Sequence, residues 1–248
     1  MNPAEFANSA RSEQRFWWYR GMNLILFRFL DAIAGKRKFT SVLEAGCGTG
    51  YLAKLLAQRY GWQIFPVDLG WEGLKFAQSL DLQRLTQADI AQLPFENDHF
   101  DAALSMDVLV HFAKSQELRA MRELVRVVKP GGFLAVRVSA LDILRSRHSE
   151  FAHERQRFTR ARLVELATAS GIEVERCTYA NTLLMPVALA KFRLWEPWMT
   201  HEPASGVEPV NPLLDKLLFS ALQLEARWLG SGRNFPAGQS LLLTGWKR

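Results

Sequence analysis

Only two of the 248 residues are cysteine, Cys47 and Cys177. Neither sits in a close-spaced cysteine or histidine pattern, so the sequence offers no zinc site and no metal is expected. Two thiols cannot staple a chain of this length, which excludes a disulfide scaffold and points to a reducing, cytoplasmic setting. Long hydrophobic runs are also missing. Residues 1–14 are polar, with Glu5, Arg11 and Glu13 where a secretory leader would be uninterruptedly apolar. Residues 22–34 are apolar but broken by Arg28 and Asp31, and too short to span a bilayer. There is no internal repeat and no low-complexity tract. Charge of one sign is in slight excess only: the net charge of +6 is that of an ordinary basic protein. It also suits an acidic small molecule, nucleic acid or an anionic membrane surface.

What is present is a core and a rhythm. Hydrophobic residues make up 48% of the chain, enough for a sizeable interior. Apolar spacing predicts a helix from Phe16 to about Ala34, with Leu24, Phe27, Leu30 and Ile33 on one face. Strands are predicted over 41–45, 62–67, 83–87, 100–106, 132–138 and 172–180, and helices over 51–60, 71–80, 115–128 and 159–170. Strands alternating with helices imply an α/β fold, a mostly parallel sheet covered on both faces. After residue 181 the rhythm changes. Residues 183–199 are apolar and carry tryptophan, and a polar loop rich in Pro and Gly follows. Residues 212–229 read as an amphipathic helix whose apolar face is Leu214, Leu217, Leu218, Ala221, Leu222 and Trp228. Residues 239–246 read as a seventh strand.

The most informative stretch is Val42-Leu43-Glu44-Ala45-Gly46-Cys47-Gly48-Thr49-Gly50. A buried strand runs into a loop with glycine at every second position, then into a helix. Such a backbone can take positive φ and admits a ligand closely, at the carboxyl end of the first strand, where doubly wound sheets bind nucleotides. The dinucleotide fingerprint needs its third glycine three positions after the second. Here Gly50 follows after one intervening residue and Ala53 stands three beyond Gly50, so the nicotinamide spacing fails. Glu44 would repel a pyrophosphate and suits a cationic amino-acid tail. Asp68, in Pro66-Val67-Asp68-Leu69, can accept from both ribose hydroxyls or act as a helix cap. Asp89, in Gln87-Ala88-Asp89-Ile90, can accept from an adenine amino group while Ile90 packs the ring, or be a plain turn aspartate.

These residues closely resemble the class I S-adenosylmethionine-dependent methyltransferases, with their Glu/Asp-x-Gly-x-Gly-x-Gly loop, acidic ribose ligand and later Asp at adenine. Leu93-Pro94-Phe95-Glu96-Asn97-Asp98-His99-Phe100-Asp101 and Leu124-Val125-Arg126-Val127-Val128-Lys129-Pro130-Gly131-Gly132 resemble two further segments of that family. Pro130-Gly131-Gly132 is expected to end a helix and reverse the chain. The resemblance covers about residues 41–140. Residues 16–20, Phe158-Thr159-Arg160, 181–186, Val210-Asn211-Pro212 and 236–240 are similar to a narrower bacterial subgroup, methyltransferase type 11/12-like, of small-molecule or lipid-linked methyltransferases. Val110 stands where that subgroup often has Glu, and His153 lies one residue out of register with its His-x-Arg-Arg-Tyr pattern.

The resemblance implies a Rossmann-like, seven-stranded, mostly parallel sheet with the last strand antiparallel, helices on both faces and a helical insertion before the last strand. The expected organisation is one structural domain: an N-terminal helical cap (1–40), the cofactor-binding core (41–181), a helical lid (182–237) and a final strand (238–248). It implies S-adenosyl-L-methionine as cofactor, with Glu44, Gly46, Cys47, Gly48, Gly50, Asp68, Leu69, Asp89, Ile90 and Met106 around it. Arg20, beside Trp18 and Tyr19, would cover the cofactor carboxylate or simply pack a helix.

Methyl transfer is an in-line displacement, so the enzyme mainly aligns acceptor and methyl in a dry site. A hydroxyl acceptor needs a base, and histidine is the usual one. His111, just past the fourth strand, either fills that role or packs near the methionine moiety; His153 and His148 are further candidates. Arg137, Arg145, Arg147, Arg155, Arg157, Arg160 and Arg162 form either a solvated basic face or a site for a carboxylate- or phosphate-bearing acceptor. The insertion suits a hydrophobic acceptor, shallow contact with a bilayer, or plain packing. The expected function is methyl transfer to a small-molecule or lipid-like acceptor, at oxygen. Nucleic-acid or protein methylation and non-catalytic cofactor binding are the alternatives. Amino methylation of bases typically uses an Asn/Asp-Pro-Pro-aromatic tetrapeptide, but Ser105-Met106-Asp107-Val108 stands there, which argues against nucleic acid.

Overall fold

The computed structural model describes residues 3–198, 205–207 and 210–248. Part of the expected polar loop before residue 212 lies outside them. Two helices precede the sheet, α1 (Pro3–Ser12) and α2 (Trp17–Ala34). The alternating core follows: β1 (Ser41–Ala45), α3 (Tyr51–Tyr60), β2 (Gln63–Asp68), α4 (Trp71–Gln78), β3 (Thr86–Gln87), β4 (Phe100–Met106), α5 (Glu117–Val127) and β5 (Val128–Ser139). Then come α6 (Arg147–Phe151), α7 (Arg160–Ala169), β6 (Ile172–Ala180), α8 (Met185–Ala190), α9 (Pro212–Gly230) and β7 (Ser240–Lys247). The sheet has seven strands in the order β3-β2-β1-β4-β5-β7-β6. Its strands are parallel except β7, which runs antiparallel between β5 and β6. This is the architecture expected from the sequence.

Alternation along the strands feeds two cores, one on each face of the sheet. One face packs Leu43, Ala103, Leu134 and Val136 against α5 and α7; the other packs Val42, Ala102, Leu104, Phe133 and Ala135 against α2, α3 and α9. Helix α2 buries Met22, Ile25, Leu26, Phe29, Leu30 and Ile33, so Leu24 and Phe27 of the expected face sit at its margin instead. Gly21 lets α9 approach: a Cβ there would lie 2.2 Å from Leu222 Cδ1.

Several boundaries move for local reasons. The third strand shrinks to two residues, because Asp81 and Arg84 just ahead of it take positive φ. Ser115 likewise has φ +76° and stands outside α5. Pro130-Gly131-Gly132 does not end a helix. Helix α5 stops at Val127, and these residues bulge within β5, where Phe100 pairs with Val128 but Ala102 with Phe133. Residues 3–12, read as a polar segment, form a helix.

The insertion is only partly a cover. The far half of α9 belongs to the core through Leu222, Ala226 and Leu229, whereas Leu214 and Leu217 of the expected apolar face are exposed. Glu225, wholly buried, accepts the backbone N–H of Thr182 at 2.8 Å and of Leu183 at 3.2 Å. That carboxylate ties the start of the insertion to α9. No helix among the described residues is long and apolar enough to cross a membrane.

Candidate active site

A cavity of about 1330 Å³ opens at the carboxyl ends of β1, β2, β4 and β5. Its floor is the loop after β1. Gly46 and Cys47 both donate to the carbonyl of Val67, at 2.7 and 2.9 Å, which locks the loop onto β2. Gly46, with φ +85°, is pressed against β4's exit: a Cβ there would stand 2.1 Å from Val108 Cγ2. Gly48, with φ +55°, differs, since a Cβ on it would meet nothing within 4 Å. Its bare backbone faces the cavity, so the cradle that a side chain would fill is left for a ligand.

Carboxylates surround this floor. Glu44, 3% exposed, has no hydrogen-bond partner for Oε2. Burial, then the charges of Asp68 and Glu13, hold its carboxyl well above the usual range. Asp68 accepts from the backbone N–H of Gly48 at 2.8 Å and of Gly70 at 2.7 Å, and burial raises its carboxyl too. Each oxygen keeps a second lone pair for a ligand hydroxyl. Glu13 arrives from the segment after α1 and accepts a hydrogen bond from the Thr49 hydroxyl; burial pushes its carboxyl up to about 7. Among the described residues no cationic side chain hydrogen-bonds to Glu13, Glu44 or Asp68. Ionising such a buried carboxyl without a cationic partner costs several kcal/mol, on the order of 3 or more. The residues therefore fit a cofactor that brings cationic ammonium and sulfonium groups, and an open glycine for its close approach.

Of the sequence-predicted residues, the cavity wall brings together Glu44, Gly46, Cys47, Gly48, Asp68, Leu69, Asp89, Ile90, Met106 and His111. Gly50 shapes the loop from behind, its Cα facing Ala77 and Leu82. Asp89 has Oδ1 engaged by the N–H of Ala91 at 2.8 Å. Arg20 stays outside the cavity wall. It pairs with Asp215 and lies over the Phe219 ring at 4.2 Å, holding α2 to α9.

His153 is also off the wall, but its carbonyl stands 3.2 Å from His111 Nδ1. A carbonyl only accepts, so Nδ1 carries the proton and Nε2 keeps a lone pair. Burial lowers the pKa of His111 below the ordinary 6.5, so the ring is neutral at pH 7. His148 lines the cavity with Nδ1 accepting from the N–H of Gly206 at 3.0 Å.

Sequence reasoning missed Glu5, Glu13 and Phe6, which line the cavity from α1 and the residue after it: Glu13 meets Thr49 of the glycine loop, and Phe6 packs on Gly70 and Gly73. The acidic residues were visible in the chain; their burial was not. Across the cavity, Arg137 on β5 lies over Trp18, 5.2 Å from its ring centroid.

Residues 43–136 match the family model described as "Methyltransferase domain". Two curated relatives illustrate the spread. The tRNA (carboxymethyluridine(34)-5-O)-methyltransferase of Arabidopsis thaliana is 35% identical over 102 residues, which is 41% of this chain and 24% of that protein. The ubiquinone/menaquinone biosynthesis C-methyltransferase UbiE of Pseudomonas entomophila (strain L48) is 33% identical over 125 residues, 47% of this chain and 48% of that protein. The chain thus spans about a quarter to a half of the length of these relatives. Phosphoethanolamine N-methyltransferase 2 of Haemonchus contortus, solved with S-adenosyl-L-methionine, superposes with a TM-score of 0.57 at 20% identity, over 93% of this chain and 52% of that one. Its likeness is one of fold. Residues 43–136 thus match a methyltransferase-domain model, and the glycine loop and the sheet order agree with that match.

Proposed function

We propose that this protein transfers the methyl group of S-adenosylmethionine to a small-molecule or lipid-like acceptor, at oxygen. The observation that carries the reading is Glu44. Its buried carboxylate has an oxygen without a partner, in the same hollow as Asp68 and the side-chain-free surface of Gly48. That arrangement is costly by itself and complementary to a cation.

Glu44 receives the ammonium of the cofactor, Asp68 the ribose hydroxyls, and Asp89 and Ile90 the adenine. Met106, Cys47 and Leu69 pack the remainder. When bound, the cofactor supplies an electrophilic sulfonium methyl. The chain's own share is alignment, exclusion of water and one proton. His111, neutral and with Nε2 as acceptor, takes the proton of the acceptor hydroxyl, and the His153 carbonyl holds the ring by its Nδ1–H. His153 is therefore a positioning residue through its backbone.

The acceptor lies under the insertion. Leu184, Val187 and Phe192, with Leu214 and Leu218 from α9, give that side of the cavity an apolar wall. This supports a hydrophobic acceptor over an exposed base of a folded nucleic acid, which needs an open basic surface with stacking platforms.

Calorimetric titration with S-adenosylmethionine and with NADH, on wild type and Asp68→Ala, tests the cofactor assignment. Binding of the sulfonium compound alone, weakened in the variant, is expected; tight NADH binding without a response to S-adenosylmethionine would overturn it. An acceptor screen with His111→Ala as control then tests the base.

A further inference from the structure

We propose that Arg137 is the anion-recognition residue of the acceptor half of the cavity, and that the acceptor is an amphipathic carboxylate or phosphate whose apolar body lies under the insertion. The inference rests on the cofactor reading above and names the acceptor class for the same site.

Arg137 projects from β5, opposite Met106 in the register of the sheet, on the face covered by α2. Its side chain is 8% exposed. Nε donates to Asp107 Oδ2 at 2.9 Å, and Nη2 lies 2.6 Å from the same oxygen in an ion pair. The third nitrogen, Nη1, is buried and has no partner. A guanidinium carries five N–H donors in a rigid fork, and none can be discarded by deprotonation. The donors left over at Nη1 need an oxygen that the described residues do not provide, and Arg137 lines the cavity. An oxyanion in such a position adds an ion pair to the hydrogen bond, and carboxylate or phosphate oxygens match the planar guanidinium.

The glycine loop lies among Glu13, Glu44 and Asp68, which suits the cationic cofactor. Arg137 stands on β5 beside Asp107 and Trp18, and Arg147, Arg157 and Lys191 line the same cavity among Glu5, Glu154 and Glu196. Trp18 stacks on the guanidinium, and Leu184, Val187, Phe192, Leu214 and Leu218 continue the wall outward. A ligand matching this sequence of surfaces has an anionic head and an apolar tail.

The test uses the full chain saturated with S-adenosylhomocysteine, titrated with decanoate, decyl phosphate and decanol by calorimetry. Wild type should bind at least one of the two anions about tenfold or more tightly than decanol, and the stronger anion names the head group. In Arg137→Met the preference should vanish while S-adenosylhomocysteine affinity stays within about twofold. Arg137→Gln, which still donates to Asp107, keeps the test open if the methionine variant does not fold. Equal binding of decanol and both anions by wild type would overturn the proposal. So would a variant that loses S-adenosylhomocysteine instead, since Arg137 would then serve the cofactor carboxylate. Failure of wild type to bind S-adenosylhomocysteine at all would overturn the cofactor reading, a result distinct from either.

Discussion

One carboxylate, that of Asp68, holds the backbone amides of Gly48 and Gly70 at 2.8 and 2.7 Å, one on each oxygen. It therefore ties the glycine loop after β1 to the turn into α4. Charge-assisted hydrogen bonds of this kind contribute about 1.5–3 kcal/mol each. Asp68→Ala should lower stability by about 2–4 kcal/mol and S-adenosylmethionine affinity by about tenfold or more. Asp68→Asn, which keeps one accepting oxygen, should fall between. Thermal melting and calorimetry check both, and an unchanged affinity in the alanine variant would remove Asp68 from the ribose site.

Gly46 and Gly48 of the loop should fail differently. Gly46→Ala drives a methyl into Val108, 2.1 Å from Cγ2, so it should destabilise the apo protein by about 2–3 kcal/mol through overpacking. Gly48→Ala meets no protein atom within 4 Å. It should cost only the strain of a left-handed alanine, about 1–2 kcal/mol, while S-adenosylhomocysteine binding drops by about tenfold or more as the cradle fills. Denaturant unfolding and ligand titration on both variants separate the two effects; equal binding losses at equal stability would contradict the assignment of Gly48 to the ligand.

Stability of the ligand-free protein should depend on pH through Glu13. Burial raises its folded pKa from 4.5 to about 7, so the folded chain holds a proton that the unfolded chain has released. Stability is thus fully present below about pH 4.5 and declines as pH rises toward about 7, by up to about 3 kcal/mol. Glu13→Gln should reduce that slope in urea unfolding between pH 4.5 and 7.5, leaving the part that the raised carboxyls of Glu44 and Asp68 contribute. An undiminished slope in the variant would remove Glu13 as a source.

Turnover should depend on pH in the opposite sense. Burial lowers the His111 pKa below 6.5, so the neutral base persists at pH 7 and the acid limb of the rate profile lies below 6.5. His111→Ala should reduce kcat by about 10²–10⁴ and erase that limb, with S-adenosylhomocysteine affinity little changed. Undiminished turnover would exclude His111 as an essential base.

Much of the site was readable because its signals are local. The strand-loop-helix around Gly46, Gly48 and Gly50, and the carboxylates closing the next strand and following the third, occupy fixed offsets along the chain, and a parallel sheet brings the ends of neighbouring strands to one edge. The failures are equally local in cause. Arg20 was placed near the cofactor by its neighbours Trp18 and Tyr19, but Asp215, 195 residues away, captures it. Pro130-Gly131-Gly132 reads as a turn, and it becomes a bulge because β5 already begins pairing at Val128.

Periodicity and glycine spacing by themselves determined the α/β class, seven strands, the nucleotide loop and the acidic groups around it, because these depend on backbone geometry within a few residues. The tertiary structure alone decided which carboxylates lose their water, which face of α9 is core and which is exposed, and that Arg137 has a donor left over beside Trp18. Burial is a property of the assembled neighbours, and a charge at a stated place in the chain carries no record of what will close over it.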